Sequence, residues 1–304
     1  MMRIYAIAVN TFREAVRDRI LFGVVGLAAA VLVFTLALGQ LSLDQERRVV
    51  EDIGLASISL FAVVVAVFLG SSLLYKEIER KTLYVILPKP IHRWEFLVGK
   101  YAGITLTGAV FVAVMGGVLL LVMGAQAGGS AGLVGGIAAG LLALLGLGAW
   151  KLSDVSRLLL PWSAALLAAG ALFAQGAGVA VGPVLMALLL NVGEVSILTA
   201  VALFFSSFST PFLTGAFTLG VWLAGRSADS MQTMRSPLLG DAIVAVLHGL
   251  ARVVPNFNLF VPGPGTLGEA GAWGYVGTTT AYGVVYTAAL LVAAALLFRR
   301  RDFL

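Results

Sequence analysis

Few residues in this chain carry strongly polar or reactive groups, so those that do stand out. Glu194 falls inside an apolar run, with Asn191 one helical turn before it and Ser196 and Thr199 close by. A carboxylate within a membrane span is costly enough to read as functional by default. Asn191, Glu194 and Thr199 are therefore candidates for a translocation path or gate; gluing helices together is the alternative use of the same carboxylate. The second group is a charged island at residues 75–101, YKEIERKTLYVILPKPIHRWEFLVGKY, set between two long apolar runs. Its chemistry is that of recognition.

Patterns for catalysis are missing. A phosphate-binding G-x-x-x-x-G-K-[ST] loop is absent: Gly99 and Lys100 are followed by Tyr101, and the glycine-rich stretch near Gly263 lacks the lysine that would reach phosphates. The chain should therefore not hydrolyse ATP alone, and no catalytic residue is expected. His92 and His248 fall on opposite sides of the membrane in the topology below, and read as surface residues rather than ligands. Without cysteine there is no disulfide, thiolate metal site or thiol redox chemistry. No metal site is expected.

The elements that position these groups follow from composition. Of 304 residues 60% are hydrophobic and only 12% charged, and the mean hydropathy is +1.01. A soluble globule is about a quarter charged, so this is an all-α polytopic membrane protein. The net charge of +5 would suggest nucleic acid in a soluble domain. Here the basic residues instead cluster at the ends of apolar spans, and no nucleic-acid partner is expected.

Candidate spans fall at 20–40, 53–74, 104–123, 133–149, 158–181, 184–205, 209–224 and 275–298, about eight in all, within a single transmembrane domain. Residues 1–19 precede them as an amphipathic helix. Tyr5, Val9, Phe12, Val16 and Ile20 recur at steps of three or four between Arg3, Arg13, Glu14 and Arg17, which describes a helix lying in the membrane interface. With the N-terminus inside, fifteen of the twenty basic residues lie on the cytoplasmic side, including Arg299, Arg300 and Arg301. Arg47, Arg48, Arg226, Arg235 and Arg252 stay outside, and both termini and the island are cytoplasmic.

Two further features concern packing. Gly132, Gly136 and Gly140 form one ladder of small residues, and Gly170, Ala174, Gly178 and Gly182 form a second. Such strips let membrane helices approach closely, so the two runs either pair as a hairpin through the 151–157 loop or merely reflect the abundance of Gly and Ala, and the tight apolar turn near Gly182 and Pro183 also allows a kinked or re-entrant segment. In the outer loop at 226–272, Leu239, Ala242, Ile243, Val246, Leu250 and Val253 form an apolar stripe opposed by Asp241, His248 and Arg252. That predicts an interfacial helix over the outer mouth.

The island has its own local logic. Lys76–Leu87 is rich in helix formers, with Glu77 placed to pair with Arg80 or Lys81, and Pro88 and Pro90 end that helix. A second segment from His92 leads into the next span. The alternatives are a basic topology anchor and, favoured by the mixed charge, the two prolines and exposed Trp94 and Phe96, a protein-docking surface.

The run KEIERKTLYVILPKPIHRWEFLVGK, preceded by NTFREAVRDRILF and followed by FFSSFSTPF, PNFNLF and FRRRDF, resembles the ABC-2 type permeases. The likeness is greatest to the branch serving multicopper-enzyme maturation, including copper-site assembly of nitrous oxide reductase. It covers residues 1–124 and 184–304. It implies a type V exporter-like transmembrane domain in a bacterial cytoplasmic membrane, with a six-span core to which 131–181 adds a hairpin. The N-terminal helix would be the elbow, marked by Phe12, Arg13, Glu14 and Arg17. The island would hold the coupling helix, contacting a separate ATP-binding subunit through Glu77, Glu79, Arg80, Lys81, Thr82, Leu83, Pro88, Lys89, Pro90, Arg93 and Trp94. ATP and magnesium would be bound by that partner, and the permease would work as a homodimer or heterodimer. Export of a substrate follows as the expected function; the alternatives are an autonomous ion-coupled carrier or channel, and a membrane scaffold that binds an ATPase without transporting.

Overall fold

A computed structural model describes residues 2–41, 46–79, 92–151, 156–234, 241–263 and 265–300. Among them lie eleven α-helices: α1 Met2–Val16, α2 Arg19–Gln40, α3 Glu46–Glu79, α4 Arg93–Gln126, α5 Ala131–Lys151, α6 Ser156–Gly176, α7 Val181–Ser206, α8 Pro211–Arg226, α9 Ala228–Thr233, α10 Asp241–Val253 and α11 Ala272–Arg300. Short 3-10 turns occupy Phe257–Phe260 and Thr266–Gly268. The run drawn at 158–181 is interrupted by a turn at 177–180, and that drawn at 209–224 becomes helical only from Pro211. Six of the helices, α2, α3, α4, α6, α7 and α11, are long and apolar enough to cross a membrane. The 16 residues of α8 reach about 24 Å, short of a hydrocarbon core about 30 Å thick.

The chain divides into two compact units. One comprises Phe12–Val65 and Leu106–Val192. Here α2 starts where Asp18 accepts the Ile20 N–H at 3.0 Å. The amphipathic helix therefore stops at Val16, and Ile20 belongs to the first span rather than to the elbow stripe. Phe12 and Val16 are buried against protein, while Arg17 is exposed. Along α2, Ala28, Leu32, Thr35 and Gly39 form the buried stripe, while Phe22, Leu27, Val33 and Phe34 face outward, as a lipid-exposed span requires.

The glycine ladders behave differently from expectation. α5 and α6 do pack together, and the Trp162 indole N–H donates to the Leu141 carbonyl at 2.8 Å. Yet Gly136 and Gly140 face open space, and a Cβ on Gly132 would meet only its own capping Ser130. The second ladder is used against α4 instead. A Cβ on Gly170 would come within 2.6 Å of the Gly117 carbonyl, and one on Gly124 within 3.1 Å of Ala174 Cα. Backbone meets backbone at this crossing, and only small residues allow it. The turn after α6 also falls earlier than expected. Gly178 adopts φ +81, where an L side chain would be strained, and the Val179 N–H returns to the Ala174 carbonyl at 2.9 Å. Pro183 lies in the first turn of α7, where a missing N–H costs nothing.

The other unit comprises Met1–Thr11, Ala66–Thr105 and Gly193–Leu304. α1 lies against the start of α4, with Gly99 facing Ile7 and Gly103 facing Ala8 and Thr11. Arg3 and Glu95 approach to 4.0 Å, and Glu95 also accepts the His92 N–H at 3.0 Å, closing the helix start. Trp94 is half exposed, but Phe96 is only 5% exposed, so the expected aromatic pair on the docking surface is reduced to Trp94. Lys100 is buried as well, its Nζ 5.9 Å from the Phe96 ring, rather than standing in the cytoplasmic loop. α3 runs unbroken to Glu79, so Lys76–Glu79 extends the span's helix instead of starting a new one.

The outer helix α10 is amphipathic as expected. Its stripe of Ile243, Val246, Leu250 and Val253 points outward, and Ala251 is buried instead. Leu239 lies outside the described residues.

Candidate functional site

The site is built on α7, whose near-continuous apolar sequence leaves Glu194 as its one charged side chain. Glu194 is 1% exposed. Burying a lone carboxylate is prohibitive, so partners must come from elsewhere. They come from the end of α8. The Arg226 guanidinium donates through Nη2 to both carboxylate oxygens, at 2.9 and 3.2 Å. The Trp222 indole N–H donates to Oε1 at 2.8 Å.

Helical spacing explains the arrangement. Trp222 and Arg226 are four residues apart on α8, so both side chains reach the same carboxylate. The guanidinium carbon also lies 5.6 Å from the Trp222 ring, adding a cation–π contact. Arg226 stands in the last turn of its helix, where the macrodipole favours a cation. The same face continues downward through Thr218, whose hydroxyl donates to the Thr214 carbonyl at 2.7 Å, and both threonines are fully buried. Arg226, 22% exposed at the end of α8, thus pairs with a buried carboxylate rather than standing alone.

Next to the pair sits the 3-10 turn Phe257–Phe260. Phe257 and Phe260 are buried, and Asn256 caps the turn by accepting the Asn258 N–H at 3.0 Å. Asp229 on α9 accepts from the Asn256 and Asn258 amides at 2.7 and 3.0 Å. α11 supplies three tyrosines. The Asn256 N–H donates to the Tyr282 hydroxyl at 2.9 Å, Tyr275 donates to the Leu259 carbonyl at 2.7 Å, and Tyr286 donates to the Val253 carbonyl.

Of the expected path residues, Asn191, Glu194 and Thr199 are all buried on α7. Thr199 offers a hydroxyl with no hydrogen-bond partner among the described residues. Ser196 instead joins a hydroxyl chain, 2.5 Å from Tyr101 and 3.4 Å from Thr287. Among the elbow residues, Phe12 is buried and Arg13 and Glu14 are partly so. Of the expected ATPase contacts, Glu77 and Glu79 lie in the end of α3, and Arg93 and Trp94 open α4. Arg80, Lys81, Thr82, Leu83, Pro88, Lys89 and Pro90 lie outside the described residues.

Sequence reasoning missed Arg226, Trp222 and Asp229. A signal was present: Thr214, Thr218, Trp222 and Arg226 recur every four residues through the run drawn at 209–224 and just past its end.

The all-helical architecture of the described residues and six helices long and apolar enough to cross a membrane define a multi-pass membrane protein. The chain belongs to the ABC-2 family transporter proteins, whose family model matches residues 5–303. Proteins of this family are membrane components that pair with an ATP-binding subunit. The match is to the family at large and gives no support to the multicopper-enzyme-maturation branch. No curated protein matches the chain.

Proposed function

We propose that this chain is the permease subunit of an ABC transporter of the ABC-2 type. ATP is hydrolysed on a separate cytoplasmic subunit docked at residues 75–101, and the Glu194–Arg226 pair locks the membrane pathway. Both termini face the cytoplasm of a bacterial cell, and two permease chains form the working unit.

The mounting of the island carries the coupling half of this reading. α3 continues through the membrane to Glu79 without a break, and α4 begins at Arg93 with α1 seated on its first turns. A push on the segment between them is delivered to two 34-residue helices, not absorbed in flexible loops. The lock follows from energetics. Removing one partner of a buried ion pair costs about 3–5 kcal/mol, so the paired state is strongly preferred until something else does the work of parting it.

The same pair argues against an ion-coupled carrier. Glu194 already holds a cation of the chain's own, and a carboxylate neutralised by Arg226 is not poised to bind a transported ion. The scaffold reading leaves such a costly pair without a use.

The test is co-purification with the ATP-binding subunit, followed by its ATPase rate. Glu79→Ala with Arg93→Ala is expected to abolish association or uncouple ATPase from transport. Unchanged association and coupling would remove the docking assignment, and ion-driven flux by the purified chain alone would establish the carrier.

A further inference from the structure

We propose that Asp229 is a positioning residue for the Glu194–Arg226 pair, acting through the 256–260 turn that it holds between the two helices carrying the pair. This rests on reading the pair as the membrane lock.

The turn touches the backbone beside each partner. Gly193 precedes Glu194 on α7, and a Cβ there would come within 2.7 Å of the Phe260 ring. Gly225 precedes Arg226 on α8, and a Cβ there would collide with the Pro255 carbonyl and the Phe257 ring. Phe260 thus sets where Glu194 stands, and Phe257 sets where Arg226 stands. Glycine at both positions lets the aromatic rings press directly on helix backbone, so a displacement of the turn is transmitted to both charges.

What holds the turn is polar. A single 3-10 turn satisfies few of its own backbone groups, so the others need partners supplied by protein wherever lipid surrounds it. Three α11 tyrosines bond the backbone at Val253, Asn256 and Leu259. Asp229 alone among the described partners grips two side chains of the turn, one with each carboxylate oxygen. It stands three residues beyond Arg226, so it ties the end of the helix that carries the guanidinium to the turn that spaces it from Glu194. Asn256 cannot reorient freely, because its carbonyl oxygen already accepts the Asn258 N–H. The clamp therefore has a defined donor pattern: two amide N–H groups into one carboxylate.

That pattern gives a rescue. Asp229→Asn leaves one acceptor for two donors and turns one bond into a clash of N–H groups. Adding Asn258→Asp reverses the second bond and restores both. Because the chain has no cysteine, a single reporter can be placed at will. Val195, beside Glu194 and 1% exposed, is suited to Val195→Cys.

The experiment measures labelling of Val195→Cys by a membrane-impermeant maleimide in the full chain reconstituted in vesicles. Asp229→Asn is expected to raise the labelling rate about tenfold, the effect of losing one charge-assisted bond. The Asp229→Asn, Asn258→Asp swap should return it to within about twofold of the starting rate. In a Glu194→Gln background, where the lock is already broken, Asp229→Asn should add less than about twofold, because two changes acting through one contact do not add. An equal factor in both backgrounds would show that Asp229 does not act through the pair and would overturn the proposal. A rise with Glu194→Gln but none with Asp229→Asn would overturn it too, leaving the lock intact. No rise with Glu194→Gln would overturn the lock reading itself. Should Asp229→Asn fail to fold, Asn258→Ala removes one bond only and is read by the same criteria.

Discussion

Charge is concentrated in two places in this molecule, and they follow opposite rules. Between residues 75 and 101 charged side chains are many and of mixed sign. At Glu194 and Arg226 there are two, 32 residues apart in sequence, held at 2.9 Å with the carboxylate buried. Charges bordering water are cheap, so they can be spread over a surface and used for recognition. A charge removed from water must be answered atom by atom, here by a fork of guanidinium hydrogens and an indole N–H. At the second, loss of one partner strands the other.

The largest effect should therefore come from Arg226. Arg226→Ala is expected to lower stability by about 3–5 kcal/mol, read as thermal unfolding in lipid nanodiscs, because it strands a buried carboxylate. Replacing both partners, as Glu194→Met with Arg226→Met, should recover most of that loss while abolishing the lock. A single substitution without effect would mean that the pair is not a desolvated one.

Next in size is the close crossing of α4 and α6. Gly170→Val should cost about 1–3 kcal/mol by the same measurement, since the added atoms must displace the Gly117 backbone. The island comes third on this scale. Glu79→Ala with Arg93→Ala should change stability by less than about 1 kcal/mol, if the pair serves recognition rather than packing, while removing association with the ATP-binding subunit. A large stability loss there would erase the distinction between the two regions. Smallest is Gly136→Ala, which meets nothing in the structure and should stabilise by at most about 1 kcal/mol through helix propensity.

The helices were largely legible because the requirement behind them is simple. An apolar run in lipid must satisfy its backbone internally, and runs such as 20–40 and 275–298 leave no other solution. Glu194 was legible for the related reason that a carboxylate there is conspicuous. Its partner was not, since periodicity reports which face of one helix is polar and not which other helix it meets. Arg226 falls just past the run drawn at 209–224, and so it read as a loop charge. The ladder at Gly132, Gly136 and Gly140 misled in the opposite sense. Small residues permit close approach without requiring it, and those of α6 found α4 rather than α5. The turn at 256–260 was visible only as the string PNFNLF. Its place between Gly193 and Gly225 depends on contacts from four helices, none of them local in sequence.

The central claim joins the two regions: work done on the island parts the buried pair. Its most direct test is the maleimide labelling rate of Val195→Cys in the complex with the ATP-binding subunit, with and without ATP. The rate is expected to rise on ATP addition, and to lose that response when Glu79→Ala and Arg93→Ala are introduced. Equal labelling with and without ATP in the otherwise unaltered complex would contradict it.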